Sequence, residues 1–526
     1  MVDLVTVEII RNALEYISEE MGIILRNAAY SANIKERMDH SCAIFDDQGR
    51  MLAQAEHIPV HLGAMPVAVK TAIKEFEGDL YEGDMIILND PYRGGTHLPD
   101  LTIISPVFYK RRLVAFSATR AHHSDIGGRV PGSMVGDAVE IFEEGLIIPP
   151  VKLFEKGRIR KDILEIILAN SRTPKMRMGD IYAQVAASRV GEKRILKLIE
   201  KYGENVFRET VDEILNYSER RIRSEIRKLP KGSYSAEDYM DDSGVEDKPV
   251  KIKVTIEISG DEMKFDFSGT DKQVRGPINC PFTVTLSCSY FVLRAITDPT
   301  IPANEGTYRP LKVFAPDGTI VNAKPPAAVS GGNVETSQRI VDVLLKALSE
   351  AIPDRVPAAC QGTMNNVCFG GIDPRTGKPF TFYETIGGGF GGRKGLDGMD
   401  GVHSHMTNTM NTPIEEIERR FPLMIVKYSL RENSGGLGKW RGGLGIERVY
   451  KTLCPVVVSL LGERHKFPPW GLLGGKPGAK GEYLLQQKTG EVIKLKSKCT
   501  VHLEEGDLLI IKTPGGGGYG NPEEKD

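Results

Sequence analysis

The spacing of the hydrophobic residues changes along this chain of 526 residues, and the change restricts the folds that the chain can adopt. In residues 7–29 and 175–229, apolar side chains recur at the spacing of an amphipathic helix. In residues 250–258, apolar and polar residues alternate instead, and after a turn the alternation resumes at 263–267. Helical and strand patterns in separate blocks predict an α+β protein.

The predicted organisation is one region, residues 1–521, with several subdomains. Residues 1–174 are predicted to form an antiparallel, β-rich part, residues 175–232 a helical segment, and residues 233–521 a mixed α and β part. Glycine accounts for 56 of the 526 residues, which exceeds the roughly 7% of an average protein. Many of these glycines lie in short loops of the last part, which we therefore expect to be rich in tight loops.

Charge, hydropathy and cysteine content exclude several classes of protein. With 68 Lys and Arg against 70 Asp and Glu, the net charge of −2 predicts no basic surface for nucleic acid. No stretch of about 18 apolar residues could span a membrane, and the acidic start of the chain lacks the pattern of a secretory signal. Seven cysteines without a C-x-x-C pair are typical of reduced thiols. We therefore predict a cytoplasmic protein that binds neither membranes nor nucleic acids.

Two glycine runs, Gly387–Gly392 and Gly515–Gly520, match the G-x-G-x-x-G pattern of dinucleotide sites. Neither is followed by a helix, which such a site needs for binding the pyrophosphate, and the chain has no P-loop. We therefore predict that no nucleotide binds at these runs. For the first run two interpretations stay open: a tight turn, or a backbone cradle near substrate beside Arg393 and Lys394.

A third glycine-containing segment, residues 329–337, is predicted to lead into a helix over 333–351. Such a segment can bind an anion or a carbonyl at the helix N-terminus. It can equally be an ordinary helix cap.

The histidines are unevenly distributed, because six of the ten precede residue 124 and none lies between 124 and 402. A loop rich in glycine and proline carries His97 and Asp100, and it leads into a predicted hairpin whose second strand ends near His122 and His123. In an antiparallel pair the numbers of opposite residues have a constant sum. A turn centred on Arg111 would place Asp100 opposite His122, whereas a turn centred half a residue earlier would bring Asp100 beside His123.

Two imidazoles and a carboxylate at one end of a hairpin match the ligands of a catalytic divalent ion. This mixed nitrogen and oxygen set suits manganese, iron or zinc and argues against calcium. The alternative is that these residues are hydrogen-bonded loop residues. Asp39 could add a carboxylate, or it could be a helix-end residue. His57 and His61 are expected to be structural, because Pro59 between them breaks the helical spacing.

The chain resembles the hydantoinase B family in five ordered segments. The family comprises B subunits of ATP-dependent hydantoinases and caprolactamases, the corresponding half of 5-oxoprolinase, and α subunits of acetone and acetophenone carboxylases. The resemblance extends from near residue 5 to near residue 521. The segments that carry it are 33–41, 89–100, 121–128, 144–150 and 515–520.

The resemblance implies a division of labour between two subunits. An A-type subunit would bind ATP and phosphorylate the carbonyl oxygen of the substrate, and this chain would hold one divalent transition metal (manganese, zinc or iron) and complete the reaction. The family's metal ligands fall on Asp39, His97, Asp100 and His122. Asp125, close to a ligand at the same strand end, is the candidate general base.

The predicted function is thus the metal-dependent, B-type component of an ATP-dependent cyclic amide hydrolase, of the N-methylhydantoinase or 5-oxoprolinase type, within a hetero-oligomer. One alternative is a subunit of a ketone carboxylase that uses the same metal. A second alternative is a scaffold without catalytic function, which stabilises an ATP-binding partner.

Overall fold

The computed structural model describes residues 3–55 and 57–524, which contain ten α-helices and four sheets. This mixture confirms the predicted α+β class. Within the described part of the chain, no helix is both long and apolar enough to cross a bilayer. The helices are α1 (Leu4–Ala28), α2 (Ala32–Lys35), α3 (Ala64–Glu75), α4 (Lys161–Ala169), α5 (Pro174–Tyr202), α6 (Glu204–Lys228), α7 (Phe282–Ala295), α8 (Glu305–Tyr308), α9 (Ser337–Leu348) and α10 (Ile414–Arg420).

The strands pair antiparallel in all four sheets, except where β10 and β11 run parallel. The first sheet has the order β2-β1-β5-β4-β3-β6-β7, with β1 (His40–Asp46), β2 (Met51–Ala55), β3 (Met85–Leu88), β4 (Asp100–Tyr109), β5 (Arg112–His122), β6 (Val151–Glu155) and β7 (Arg158–Ile159). The second has the order β11-β10-β9-β8, with β8 (Gly232–Met240), β9 (Val250–Ser259), β10 (Glu262–Asp266) and β11 (Leu311–Phe314).

Nine further strands form two sheets in the C-terminal part. They are β12 (Asn366–Asp373), β13 (Lys378–Glu384), β14 (Leu423–Leu430), β15 (Ile446–Thr452), β16 (Val456–Leu461), β17 (Glu482–Gln486), β18 (Val492–Leu495), β19 (Lys498–Leu503) and β20 (Leu508–Lys512). Their orders are β13-β12-β16-β19 and β14-β15-β20-β17-β18. The division of the chain into three parts stays a prediction.

The first sheet is covered by helices on both faces. Asp3 caps α1 by accepting a hydrogen bond from Thr6 N at 3.0 Å. The buried stripe of α1 packs with α5 and α6 against one face of β1 and β5, and α3 packs on the other face. The α1 helix and the β4–β5 hairpin therefore confirm the predicted amphipathic helix and hairpin.

A bulge in the β4–β5 hairpin sets its register. Near the turn, Tyr109 pairs with Arg112, but an extra residue on β5 shifts the pairing between Val107 and Phe108. Beyond that shift, Asp100 pairs with His122 at the open end of the hairpin. The two registers that the sequence left open thus occur in the two halves of one hairpin.

The two glycine runs pack against each other, backbone to backbone. Gly392 N donates to the carbonyl oxygen of Gly517 at 2.9 Å, and Gly516 N donates to that of Gly443 at 2.9 Å. A Cβ atom on Gly391 would lie only 1.8 Å from the carbonyl oxygen of Ala358. Close backbone packing, rather than a lone tight turn or a substrate cradle, accounts for the glycines of these runs.

Buried charges join α9 to the loops of the C-terminal part. Asp342 on α9 accepts hydrogen bonds from Arg464 at 2.5 Å and from Arg339 at 3.1 Å, and its second oxygen lies 3.1 Å from His405 Nε2. Burial alone would lower the pKa of His405, but the neighbouring Cys360 and Asp342 outweigh it and raise the pKa to about 10. His405 is thus held as a cation at neutral pH.

We expect Gly391→Ala to lower the free energy of unfolding by about 3 kcal/mol, because its Cβ would overlap a backbone oxygen. Gly490→Ala is the control: a Cβ there meets nothing within 4 Å, and its φ of +92° predicts a loss of about 1 kcal/mol. Urea unfolding measures both variants. Equal losses would show that backbone conformation, not packing, explains the effect at Gly391.

The raised pKa of His405 also predicts how stability depends on pH. Its contribution is complete below the ordinary pKa of 6.5 and is lost as the pH rises through about 10. The difference in unfolding free energy between the wild type and His405→Gln should therefore shrink from pH 6.5 to 10, by on the order of 2–4 kcal/mol. The exposed His502→Gln variant should follow the wild-type profile. A constant difference across this range would contradict the prediction.

Candidate metal centre

Three side-chain atoms converge at the open end of the β4–β5 hairpin. His97 Nε2 lies 3.0 Å from Asp100 Oδ1 and 3.1 Å from His122 Nδ1, and the last two atoms are 3.4 Å apart. All three residues are buried. Neighbouring ligands of an ion with bonds of about 2.1 Å are separated by roughly 3.0–3.5 Å. The three separations therefore match those around a single bound ion.

The local fold holds each member of this cluster in place. Asp100 and His122 are opposite partners at the ends of β4 and β5, so their side chains share one face of the sheet. His97 is brought close by the turn before β4, in which Asp100 N donates to the carbonyl oxygen of His97 at 3.1 Å. Thr96 Oγ1 donates to Asp100 Oδ2 at 2.5 Å, which leaves Oδ1 directed at the histidines.

The charge state of the cluster suits a cation. Burial alone would raise the pKa of Asp100, but the charge of His97 and hydrogen bonds from His122, His61 and His97 outweigh it and hold the pKa well below its ordinary value. Burial lowers the pKa of His122. Asp100 is thus a carboxylate and His122 a neutral imidazole, the forms in which both residues bind metals.

The outer ring nitrogens are compatible with that arrangement. His97 Nδ1 and His122 Nε2 are buried and have no hydrogen-bond partner among the described residues. If a cation took the facing nitrogens, the ring protons would lie on these outer atoms. The donor set of one carboxylate and two imidazoles fits a divalent manganese, iron or zinc ion.

Asp39 lines the same cavity as Asp100 and His122. Its main-chain oxygen accepts a hydrogen bond from His122 N at 3.0 Å, and its Oδ2 accepts one from Asn33 Nδ2 at 3.3 Å. Its carboxylate lies outside the group of atoms that are all within 4.8 Å of one another. Its role as a ligand stays a prediction.

The residues that follow His122 point elsewhere. His123 Nε2 pairs with Gln184 Oε1 of α5 at 2.8 Å, so His122 and not His123 belongs to the cluster. Asp125 accepts hydrogen bonds from Arg172 N and Nη1 at 2.7 and 2.9 Å, and from Ser171 Oγ and Gly132 N at 3.2 Å. Its role as a general base also stays a prediction.

The sequence predicted that His61 is structural, and it gave no sign of the contact that His61 makes with Asp100. Residues 59–61 form a short 3-10 helix that begins at Pro59. This helix places His61 Nε2 3.5 Å from Asp100 Oδ2, while Nδ1 pairs with Ser41 Oγ at 2.9 Å. Pro59 excludes a helical pair of ligands formed by His57 and His61. It does not exclude a contact between His61 and Asp100, which the tertiary fold brings together.

The C-terminal half supplies the remaining wall of the cavity, of which only Asn333 and Val334 lie in a segment, residues 329–337, that the sequence had indicated as a candidate binding segment. The Tyr383 ring stacks on His122 with centroids 4.5 Å apart and an interplanar angle of 12°. The cavity beside the cluster has a volume of about 20 Å³. The wall residues from this half are Asn333, Val334, Met364, Tyr383, Thr385, Thr407 and Thr409.

Comparison with known proteins shows what the chain as a whole is similar to. The family model described as hydantoinase B/oxoprolinase matches residues 3–522. An uncharacterized protein of Methanocaldococcus jannaschii is 51% identical over 100% of this chain and 92% of its own length. The putative B subunit of a D-/L-hydantoinase from a Pseudomonas species is 37% identical, over 100% of this chain and 91% of its length.

A longer relative and a solved structure complete the comparison. 5-Oxoprolinase 1 of Arabidopsis thaliana is 40% identical over 99% of this chain, which spans only 42% of that relative. The structure of the ATP-dependent caprolactamase from Pseudomonas jessenii superposes with a TM-score of 0.93 and 32% identity, over 100% of this chain and 92% of the other.

The His97→Ala variant tests the candidate metal centre. It removes one of the three converging atoms, so the purified chain should lose most of its divalent metal while its melting temperature stays within a few degrees of the wild type. Elemental analysis and thermal unfolding measure the two effects. The exposed His502→Ala variant should retain the metal, and full metal content in His97→Ala would contradict the site.

Proposed function

Because the chain belongs to the hydantoinase B/oxoprolinase family, we propose that it is the hydrolytic subunit of an ATP-dependent enzyme that opens cyclic amides. The convergence of His97 Nε2, Asp100 Oδ1 and His122 Nδ1 in a buried cavity carries this proposal. A scaffold subunit would not need a buried carboxylate facing two imidazoles, an arrangement that is costly unless a positive charge compensates it.

The proposed metal is one divalent transition ion, either manganese, zinc or iron. When bound, such an ion lowers the pKa of water and polarises a carbonyl group. The protein's own residues contribute the rest: Thr96 and His61 hold the carboxylate of Asp100, and burial excludes bulk water from the reacting groups. The residues proposed to hold the ion are Asp39, His97, Asp100 and His122.

The proposed reaction overcomes the low reactivity of an amide. Phosphorylation of the carbonyl oxygen makes its carbon more electrophilic, so water can add there. The ring C–N bond then breaks as the nitrogen takes a proton, which leaves an acyl phosphate, and a second water hydrolyses it to a carboxylate and inorganic phosphate. Asp125 stays the candidate base for the proton of water. Its oxygens accept four hydrogen bonds, from Arg172, Ser171 and Gly132.

A separate A-type subunit is proposed to supply ATP chemistry in a hetero-oligomer. Two observations support this: the sequence has no P-loop, and the hydantoinase relative is itself named as one subunit, B, of its enzyme. The chain also spans 42% of the 5-oxoprolinase relative, so more than half of that longer protein has no counterpart here. A partner chain would provide that counterpart.

The proposed function is tested by combining the metal-loaded chain with the A-type subunit and measuring ATP hydrolysis against lactams, hydantoins and ketones. We expect ATP hydrolysis and ring opening with at least one cyclic amide, and no ring opening with His97→Ala. ATP consumption with a ketone that requires bicarbonate, without any reaction of cyclic amides, would instead assign a carboxylase. Undiminished turnover in the metal-free complex would contradict a metal-dependent role of this chain.

A further inference from the structure

A distorted turn before α9 forms part of the cavity wall. Residues 332–336 adopt a π-helical turn, a distortion that is frequent at functional sites. Within it, Asn333 lines the cavity together with Asp100 and His122. Asn333 is 3% exposed, and its Oδ1 has no hydrogen-bond partner among the described residues. A buried polar atom without a partner costs about 1–3 kcal/mol, so its presence at this cavity calls for a ligand.

The backbone around Asn333 is held from several directions. Glu144 accepts hydrogen bonds from Val329 N at 3.0 Å and Ser330 N at 2.9 Å. Gly332 N donates to the carbonyl oxygen of Pro277 at 2.9 Å, and a Cβ on Gly332 would lie 1.8 Å from a carbonyl oxygen. These contacts hold the backbone that carries Asn333 beside the cavity.

The size and lining of the cavity identify the ligand. Its volume of about 20 Å³ admits one water molecule, which needs at least roughly 10–15 Å³ and two to four polar partners. Polar groups line it on several sides: the carboxylate-bearing Asp39 and Asp100, and the hydroxyl-bearing Thr407 and Thr409. A water molecule therefore fits this space.

We infer that Asn333 is a positioning residue whose Oδ1 accepts a hydrogen bond from the attacking water molecule beside Asp100 and His122. This inference rests on the proposed function. A neutral amide takes no proton, so Asn333 does not act as a base. It holds one O–H bond of the water molecule in a fixed direction, and a lone pair of the water oxygen then faces the substrate. That oxygen forms the new bond to the phosphorylated carbonyl carbon, its proton passes to a base, and the ring C–N bond breaks as the nitrogen takes a proton. The acyl phosphate that results is hydrolysed by a second water to carboxylate and inorganic phosphate.

The first test is structural and does not depend on turnover. Crystals of the full chain loaded with Mn²⁺ alone should show an ordered water about 2.7–3.2 Å from Asn333 Oδ1. The same crystals of Asn333→Leu, which is similar in size but has no acceptor, should lack that water. Ser330→Ala is the matched control, because Ser330 is buried in the same segment but does not line the cavity.

The second test uses the complex with the A-type subunit. We expect Asn333→Leu to lower kcat for ring opening about 100-fold, with KM, metal content and melting temperature unchanged, because one positioned hydrogen bond at the reacting atoms is lost. Phosphorylation of the substrate should continue in this variant. Ser330→Ala should keep kcat within about threefold of the wild type.

Two results would overturn the inference: a wild-type Mn²⁺ structure without water at Asn333 Oδ1, or an Asn333→Leu variant with wild-type kcat. If the wild-type complex opens no cyclic amide, the proposed function fails instead. The crystallographic comparison then still decides whether Asn333 binds water.

Discussion

The register of the β4–β5 hairpin is the constraint on which the candidate metal centre depends. Side chains alternate between the two faces of a strand, so a slip of one residue would turn His122 to the opposite face and leave Ala121 opposite Asp100. The extra residue near the turn prevents this slip. A bulge far from the site thus determines which side chain faces Asp100. Without the bulge, regular pairing from the turn would therefore place a different residue opposite Asp100.

A second constraint is the buried charge of Asp100. Removing a carboxylate from water costs several kcal/mol unless partners compensate it, and here Thr96, His61, His97 and His122 surround its two oxygens. These residues come from a loop, a 3-10 helix and the end of β5, which are distant in the sequence. The buried carboxylate of Asp100 requires compensating partners, and this requirement explains why three histidines of the N-terminal part lie around it.

The C-terminal half completes the site from a different direction. Tyr383 and Asn333 reach the cavity from the end of β13 and from the turn before α9, and the ion pairs of Asp342 join that helix to the loops around it. The glycine runs pack the loops of this half against one another, because only residues without a Cβ allow these backbones to approach so closely. Residues that resemble nucleotide motifs in the sequence are, in three dimensions, packing surfaces.

The sequence by itself determined the local elements and the three converging residues, because periodicity reports which face of an element is buried and a hairpin brings its own ends together. It predicted α1, the β4–β5 hairpin and the pairing of Asp100 with one histidine. The family resemblance implied His122, and only the tertiary structure showed that the bulged register places it opposite Asp100, that His61 contacts Asp100, and that Asn333 lines the cavity. The physical reason is that a bulge and contacts across hundreds of residues depend on how elements pack, and no local pattern records that packing.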